Sequence, residues 1–439
     1  MATQHLLPYI AVAAVSSPLE IGANRAPQTA NDLAQVLEMA GCEVLCLGSI
    51  GTPDQAIAAG RKAAEAHVDA VVFTPVSWFE DYLVLQFLEE CAVSFLFWPL
   101  PGMETGALCG TQQITCYLKQ LGHPYQAVFG DTQDVKCLQK SQHFLRAAVL
   151  KNRLRRARIG FAGHRVPGMT ETAPNEFLLK KAIGPIIMPL DLPILLEKAQ
   201  QKPDAEALQR WQEVVSKAGS CQVSKEDGVY AMKVYTALYD MIREYGLDAV
   251  TVGCYPHLMG KVCMSIALLA DQGIPFACEG DVNGAVAQLI LTLLTGTPTH
   301  NTDWLDPLED DTVIFSHCGS GSFSLAEKQA DIRLTPVRLM DQGVCAIFPA
   351  RPGPVTLLNL MPAPDRYQLA VIEGEAVHAE MVFPGNPVRV RFSQPLSDVM
   401  NWVFDEGLGH HWMIGYSHVG EEIRRWADIV GKGVQLLTL

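Results

Sequence analysis

The chain has 439 residues, of which 49% are hydrophobic and 18% are charged. This composition is typical of folded globular proteins, excludes disordered and collagen-like classes, and with this length predicts two or three domains. A formal net charge of -14 argues against nucleic acid and anionic membranes as partners. A local cationic pocket for an anionic substrate stays compatible with that charge, because net charge describes only the average field.

The twelve cysteines are scattered without a Cys-x-x-Cys pair. This pattern favours reduced thiols over disulfides or a zinc framework, and so predicts a cytoplasmic protein. Residues 1–18 lack the basic region of a secretion signal and contain only a short apolar run, so we interpret Tyr9–Val15 as a first buried strand. No stretch reaches the roughly 18–20 uninterrupted apolar residues that span a bilayer.

Short apolar runs alternate with amphipathic stretches over residues 1–150, which we interpret as an N-terminal β/α domain. This alternation predicts parallel strands with helices on both faces of the sheet. The predicted elements are strands Tyr9–Val15, Glu43–Leu47, Ala70–Phe73 and Val93–Trp98 and helices Ala30–Ala40, Pro53–Ala66 and Asp81–Glu90.

A basic run, Lys151–Arg158, separates this region from a second β/α alternation. We interpret the run as a solvated helix end or linker and predict a central β/α domain over residues 151–298. Its predicted elements are strands Ala157–Ala162, Ala249–Gly253 and Pro275–Cys278 and helices Ala205–Lys217, Gly228–Tyr245, Gly260–Gln272 and Asp281–Leu294.

Residues 299–439 contain short runs of alternating polarity, which predict a mainly antiparallel β domain. The fold class predicted is therefore α/β, with two Rossmann-like β/α domains followed by a mainly antiparallel β C-terminal domain. The predicted elements are strands Thr312–Ser316, Arg333–Leu339, Val344–Phe348, Gln368–Glu373, Ala379–Phe383 and Pro387–Phe392 and a final helix Val419–Val430.

Two acidic residues follow the apolar strand Pro275–Cys278, at the edge where open α/β sheets bind ligands. Asp281 is typical of a helix N-cap. Glu279 follows the buried strand directly, so it is predicted to be partly buried and to need a cation, either a base nearby or a metal ion.

Histidines supply the other candidate ligands. His317 follows the strand Thr312–Ser316 within a His-Cys-Gly-Ser-Gly segment, where it is either a ligand or a hydrogen-bonded core residue, and Cys318 has no identifiable base in the sequence. His410 and His411 precede the final helix, and alternation along an extended segment predicts that only one of them reaches a given site. The chain has no G-x-x-x-x-G-K-[ST], G-x-S-x-G or H-E-x-x-H motif.

Together these segments resemble the L-fucose and L-arabinose isomerase family. The resemblance is carried by Ala277-Cys-Glu-Gly-Asp281, by Asp303, by His317-Cys-Gly319 and by His410-His411, and it covers most of the second half of the chain. Matches in the first 150 residues are scattered, as at Gly110 and Gly130.

The resemblance implies a metal-dependent aldose–ketose isomerase that acts on a free sugar or sugar derivative through an enediol(ate). Fucose isomerases bind manganese through residues that match Glu279, Asp303 and His411, with Co²⁺ or Mg²⁺ as alternatives. Arabinose isomerases add a histidine that His317 resembles, so His317 is expected either to bind the metal or to contact the sugar. Glu279 and Asp303 are the expected acid/base pair that moves a proton between C1 and C2.

The family also implies a homo-hexamer or trimer with active sites between subunits. Trp78 and His410 are expected to join His317 as substrate-binding residues, although a packed core position for Trp78 stays open. This chain has Leu108-Cys109-Gly110 where arabinose isomerases have a substrate-contacting histidine, which argues against arabinose specificity. The alternatives are a metal-dependent sugar epimerase or aldolase and a non-catalytic sugar-binding protein.

Overall fold

The computed structural model describes residues 6–439, and the first five residues lie outside the described part. The described chain divides into two compact units. The N-terminal unit comprises residues 6–153 and 421–431, and the C-terminal unit comprises residues 154–420 and 432–439. Among residues 6–439, no helix is long and apolar enough to cross a membrane. The division into three domains near residues 150 and 298 stays a prediction.

The N-terminal unit is built on a five-stranded parallel sheet in the order β2-β1-β3-β4-β5. Its strands are β1 (Tyr9–Val15), β2 (Glu43–Ile50), β3 (Ala70–Pro75), β4 (Ser94–Phe97) and β5 (Tyr125–Ala127). Its helices are α1 (Ala26–Met39), α2 (Pro53–Glu65), α3 (Tyr82–Glu90), α4 (Ala107–Leu121) and most of α5 (Val135–Arg156). The parallel β/α arrangement predicted from the sequence is confirmed.

Local sequence explains these elements. The side chains of β3 are all buried, as expected for a parallel strand covered by helices on both faces. Thr52 caps α2 by accepting a hydrogen bond from the backbone N–H of Gln55, and Pro53 occupies the first turn. The basic run forms the exposed end of α5, as predicted.

The C-terminal unit contains a second parallel sheet in the order β10-β9-β6-β7. Its strands are β6 (Arg158–Ala162), β7 (Ile186–Leu190), β9 (Ala249–Val252) and β10 (Phe276–Ala277), and the short β8 (Ser220–Cys221) lies outside it. The helices of this part are α6 (Glu176–Ala182), α7 (Leu192–Gln200), α8 (Asp204–Ser216), α9 (Lys225–Tyr245), α10 (Cys263–Ala270) and α11 (Val282–Thr295). Almost every residue of α11 is buried, because this helix contacts both the parallel sheet and the antiparallel sheet that follows it in the chain.

The rest of the C-terminal unit is mainly antiparallel. The large sheet has the order β15-β18-β11-β12-β17-β16-β19, and a further β15–β16 pairing closes it on itself. Its strands are β11 (Thr299–Pro307), β12 (Thr312–Ser316), β15 (Gly353–Pro362), β16 (Tyr367–Val377), β17 (Val388–Phe392), β18 (His411–Gly415) and β19 (Val434–Thr438). A small sheet joins β8 to β13 (Arg333–Val337) and β14 (Gln342–Ile347), and the last helix of this unit is α12 (Leu396–Asp405). The helix α13 (Gly420–Val430) belongs, apart from its first residue, to the N-terminal unit.

One sequence-based expectation about this region was wrong. The predicted strand Ala379–Phe383 is a loop, and the side chain of Asn386, just after it, makes hydrogen bonds with backbone groups of Gly321 and Ala346. The final helix predicted over Val419–Val430 is confirmed as α13, and His411–Gly415 before it forms β18, whose Trp412 and Ile414 pack into the core of the antiparallel sheet.

Candidate metal centre

Glu279 lies in a tight turn between β10 and α11. Its backbone is left-handed (φ 65°), as is that of Gly280 (φ 73°). A non-glycine residue in this region is uncommon and clusters at functional sites. Two backbone hydrogen bonds hold the turn, from Val166 N to Glu279 O at 3.2 Å and from Gly280 N to Val252 O at 2.9 Å. The turn therefore aims a fixed carboxylate at the end of the parallel sheet.

Strand register brings the remaining candidates together. Asp303 in β11 lies directly opposite His411 in β18 on one side and opposite Ser316 in β12 on the other. Directly opposed residues in neighbouring strands project from the same face of a sheet. His411 therefore lies beside Asp303, and His317 follows Ser316 at the end of β12.

Both carboxylates lie close to the imidazole of His411. His411 Nε2 lies 3.1 Å from Glu279 Oε2 and 3.6 Å from Asp303 Oδ1. His317 Nε2 lies 3.8 Å from Glu279 Oε2. Asp303 Oδ1 is buried and has no hydrogen-bond partner among residues 6–439. A buried carboxylate oxygen without a partner is costly, and a cation would satisfy it.

Asp281 supports this arrangement from behind. Its Oδ1 accepts a hydrogen bond from Gly284 N at 2.8 Å, so it is the helix N-cap predicted from the sequence. Its Oδ2 lies 2.8 Å from His411 Nδ1. Carboxylates only accept, so His411 donates from Nδ1 to Asp281 and, when the ring is protonated, from Nε2 to Glu279 Oε2 at 3.1 Å. The sequence predicted the cap but not the contact of Asp281 with His411. The feature of the sequence that could have indicated this contact is the Glu-x-Asp spacing of Glu279 and Asp281.

The charges of the site are strongly coupled. Burial opposes ionisation of Glu279, but the neighbouring imidazoles of His317 and His411 hold the pKa of this carboxyl well below its usual value. Burial lowers the pKa of His411, but hydrogen bonds with Asp281 and Glu279 outweigh burial and raise that pKa to about 9. The site is therefore built around an ionised carboxylate that attracts positive charge.

His410 corrects one expectation. Its Nε2 lies 4.0 Å from Asp303 Oδ1, and its ring centroid is 4.2 Å from that of His411. Both histidines thus reach Asp303, because His410 precedes β18 and strand alternation does not govern its side chain. Its Nδ1 lies 2.8 Å from Glu171 Oε1, an acidic partner that the sequence reasoning did not identify.

Trp78 follows β3 in the N-terminal unit. It is half-buried, and its indole N–H donates to Gln113 Oε1 at 3.1 Å. Cys109, which precedes Gly110, is exposed on α4 of the same unit. A contact between Trp78 and the sugar stays a prediction.

The donors fall into two overlapping groups. Glu279, His317 and His411 form one, and Asp303, His410 and His411 form the other, with ligand atoms in each group within 4.8 Å of one another. Carboxylate oxygen and imidazole nitrogen are donors that Mn²⁺ and similar ions accept. The donor set and the unpaired oxygen of Asp303 therefore fit a divalent metal ion.

Comparison with known proteins gives matches of two kinds. The family model for the L-arabinose isomerase C-terminal domain matches residues 303–432. A sulfoquinovose isomerase from Alkalicoccus urumqiensis is 24% identical over 374 residues, covering 81% of this chain and 83% of that protein. One from Clostridium sp. (strain MSTE9) is 26% identical and covers 75% of each chain. An L-arabinose isomerase from Nocardioides sp. (strain ATCC BAA-499 / JS614) is 19% identical and covers 75% of this chain and 69% of that protein. These matches support an arabinose/fucose isomerase-like family for this chain, and its homologues indicate an aldose–ketose isomerase.

Proposed function

We propose that this protein is a metal-dependent aldose–ketose isomerase whose divalent ion is held by Glu279, Asp303 and His411. The observation that carries the proposal is that both carboxylates lie close to His411 Nε2, Glu279 Oε2 at 3.1 Å and Asp303 Oδ1 at 3.6 Å, and that Asp303 Oδ1 is buried without a hydrogen-bond partner among residues 6–439. Mn²⁺ is the expected ion, with Co²⁺ or Mg²⁺ as alternatives.

His411 is prepared for this role by its hydrogen bond to Asp281. Because Asp281 holds the Nδ1 proton, the nitrogen from which an ion would displace a proton is Nε2, and a carboxylate partner increases the basicity of the ring. His317 is a further candidate ligand through Nε2, which lies 3.8 Å from Glu279 Oε2. The same position suits a hydrogen bond to substrate, so His317 is proposed for one of these two roles.

When bound, the ion would act as a Lewis acid on the sugar carbonyl and the adjacent hydroxyl. Glu279 is the candidate base, because the low pKa of its carboxyl keeps it ionised at neutral pH. Asp303 is the candidate partner that returns the proton to the neighbouring carbon. Proton movement between C1 and C2 of the sugar, through an enediol, then converts aldose to ketose.

A sulfonated sugar is the substrate class to test first. Four of the relatives are named sulfoquinovose isomerase. Arg165 is a basic residue whose backbone lies beside that of Gly280: a Cβ on Gly280 would be 2.9 Å from the Arg165 Cα. Its side chain is half-buried and donates to Val166 O at 3.2 Å. A guanidinium is well suited to sulfonate oxygens, as it is to other oxyanions.

The test is product analysis with purified, manganese-loaded protein. Sulfoquinovose, L-arabinose and L-fucose are incubated separately, and the sugars are identified by chromatography and NMR. We expect one aldose to equilibrate with its 2-ketose, and we expect chelator to abolish turnover while the circular dichroism spectrum is unchanged. Full turnover by metal-free protein, or an epimer as the product, would contradict the proposal.

A further inference from the structure

A cluster of thiols lies behind the candidate metal centre. All twelve cysteines are free. Three of them, Cys254, Cys278 and Cys318, belong to or pack against one hydrophobic cluster, and Cys263 and Cys345 form a second cluster that Cys318 also contacts. Cys318 therefore joins two groups of buried thiols, although the sequence spacing gave no sign of a cysteine site.

Three side chains of this region are arranged as ligands. The Sγ atoms of Cys278 and Cys318 and a ring nitrogen of His317 all lie within 4.8 Å of one another. His317 Nδ1 is 3.2 Å from Cys318 Sγ. We call Cys278, His317 and Cys318 the thiol pocket.

These separations are close to those of a metal site. With Zn–S bonds of about 2.3 Å and Zn–N bonds of about 2.0 Å, tetrahedral ligand atoms lie about 3.5 Å apart. The His317–Cys318 pair is already inside that distance, and Cys278 needs only a small side-chain movement. Cys278 Sγ lies 3.4 Å from Ser320 Oγ, a weak partner.

We propose that the thiol pocket is a second cation site, selective for a thiophilic ion such as Zn²⁺ or Cd²⁺, which it binds through two sulfurs and His317 Nδ1. Sulfur ligands favour such ions over Mn²⁺ and Mg²⁺, which prefer oxygen. Cys318 is the half-buried member and gives an ion access from the surface, whereas Cys278 is fully buried. The ligand set is incomplete with three donors, so a fourth position stays open for water.

His317 links this pocket to the candidate metal centre. Its Nδ1 faces Cys318, and its Nε2 faces Glu279 at 3.8 Å. An ion in the thiol pocket would fix the orientation of the imidazole and draw electron density from it. The second site stands independently of the proposed isomerase activity, since it uses different atoms and a different class of ion.

The test is Cd²⁺ binding to the purified, reduced, metal-free chain. Thiolate–cadmium charge-transfer absorption and the cadmium retained after dialysis are both measured. The double variant Cys278→Ser/Cys318→Ser should lose one tightly bound equivalent relative to the unmodified chain. Cys345→Ser is the matched control, because Cys345 is a buried neighbour outside the pocket, and it should keep that equivalent.

Two further variants keep the test decisive. Cys318→Ser alone changes a half-buried position and covers the case in which the double variant fails to fold. His317→Gln should weaken Cd²⁺ binding by at least about tenfold while thiolate absorption at saturation persists. Equal cadmium binding by the unmodified chain and Cys318→Ser, or an equal loss in Cys345→Ser, would overturn the proposal.

Discussion

Asp281→Asn tests how the candidate metal centre is prepared. Asp281 uses one oxygen to cap α11 and the other to accept the Nδ1 proton of His411. Asparagine is about as good an N-cap as aspartate, so its oxygen should stay on Gly284 N. The NH₂ group of the asparagine then faces the N–H of His411 Nδ1, and because both groups are donors they cannot form a hydrogen bond. The imidazole should respond by carrying its proton on Nε2, the nitrogen proposed to bind the ion.

The size of the effect follows from burial. Only 3% of Asp281 and 5% of His411 is exposed, so water cannot replace the lost contact. Losing a carboxylate that orients a metal-binding histidine typically weakens metal affinity by about 10- to 100-fold, or about 1.4–2.7 kcal/mol. The free energy of unfolding should also fall, because a buried hydrogen bond to a charged group is lost although the cap is retained. Asp281→Ala should additionally lose about 1 kcal/mol of stability with the cap.

The assay is competition between the protein and a fluorescent chelator for Mn²⁺, paired with thermal unfolding. Asp191→Asn is the matched control, since Asp191 caps α7 through Ile194 by the same kind of hydrogen bond. Asp191→Asn should bind Mn²⁺ normally. Unchanged Mn²⁺ affinity in Asp281→Asn, or an equal loss in the control, would refute the reasoning.

Three other perturbations follow from the structure. Glu279→Gln and Asp303→Asn should each lower turnover by at least about 10²-fold. The double variant should lose far less turnover than the product of the two single losses. A normal rate of deuterium exchange at substrate C2 in both single variants would contradict this. Burial, with a smaller contribution from Arg351, lowers the pKa of His300 to about 3. As the pH falls below about 6.5, this histidine therefore takes up a proton in the unfolded chain but not in the folded chain. Between pH 7 and pH 4, the free energy of unfolding measured with urea should therefore fall by about 3 kcal/mol more in the unmodified chain than in His300→Phe. The same pH dependence of this free energy in both proteins would refute the reasoning. Gly385→Ala should lower the free energy of unfolding by at least about 1–3 kcal/mol and should lower activity, because the new Cβ would lie 1.8 Å from His317 O. An unchanged free energy of unfolding would show that the loop moves freely.

The parallel β/α regions were predictable where central strands such as β3 and β9 are fully buried and helices such as α2 begin with an ordinary N-cap. Tyr9–Val15 has the predicted bounds, since an apolar run of this length with clear flanks leaves few alternatives. The antiparallel region was harder to predict. Thr312–Ser316 has the predicted bounds there, but Ala379–Phe383, which has the composition of a strand, is a loop followed by Asn386, whose side chain makes hydrogen bonds with backbone groups of Gly321 and Ala346.

The site shows the same limit. Glu279 and Asp281 were identified from their position after a buried strand, and the resemblance supplied Asp303 and His411. Their proximity depends on the register of β11 with β18, which no local pattern specifies. The contact of Asp281 with His411 and the thiol pocket around His317 likewise join residues distant in sequence, so the sequence alone did not predict either.

The central position of β11 also determines when the centre can form. Glu279 and Asp303 leave the ribosome well before His411, and β18 pairs with β11 only after the intervening strands have been made. Such long-range pairing is slow compared with local helix formation. A nascent or truncated chain that ends before β18 therefore lacks the imidazole at this centre. Metal loading would accordingly mark completed, correctly paired molecules, and retained manganese could serve as a quality measure for the purified protein.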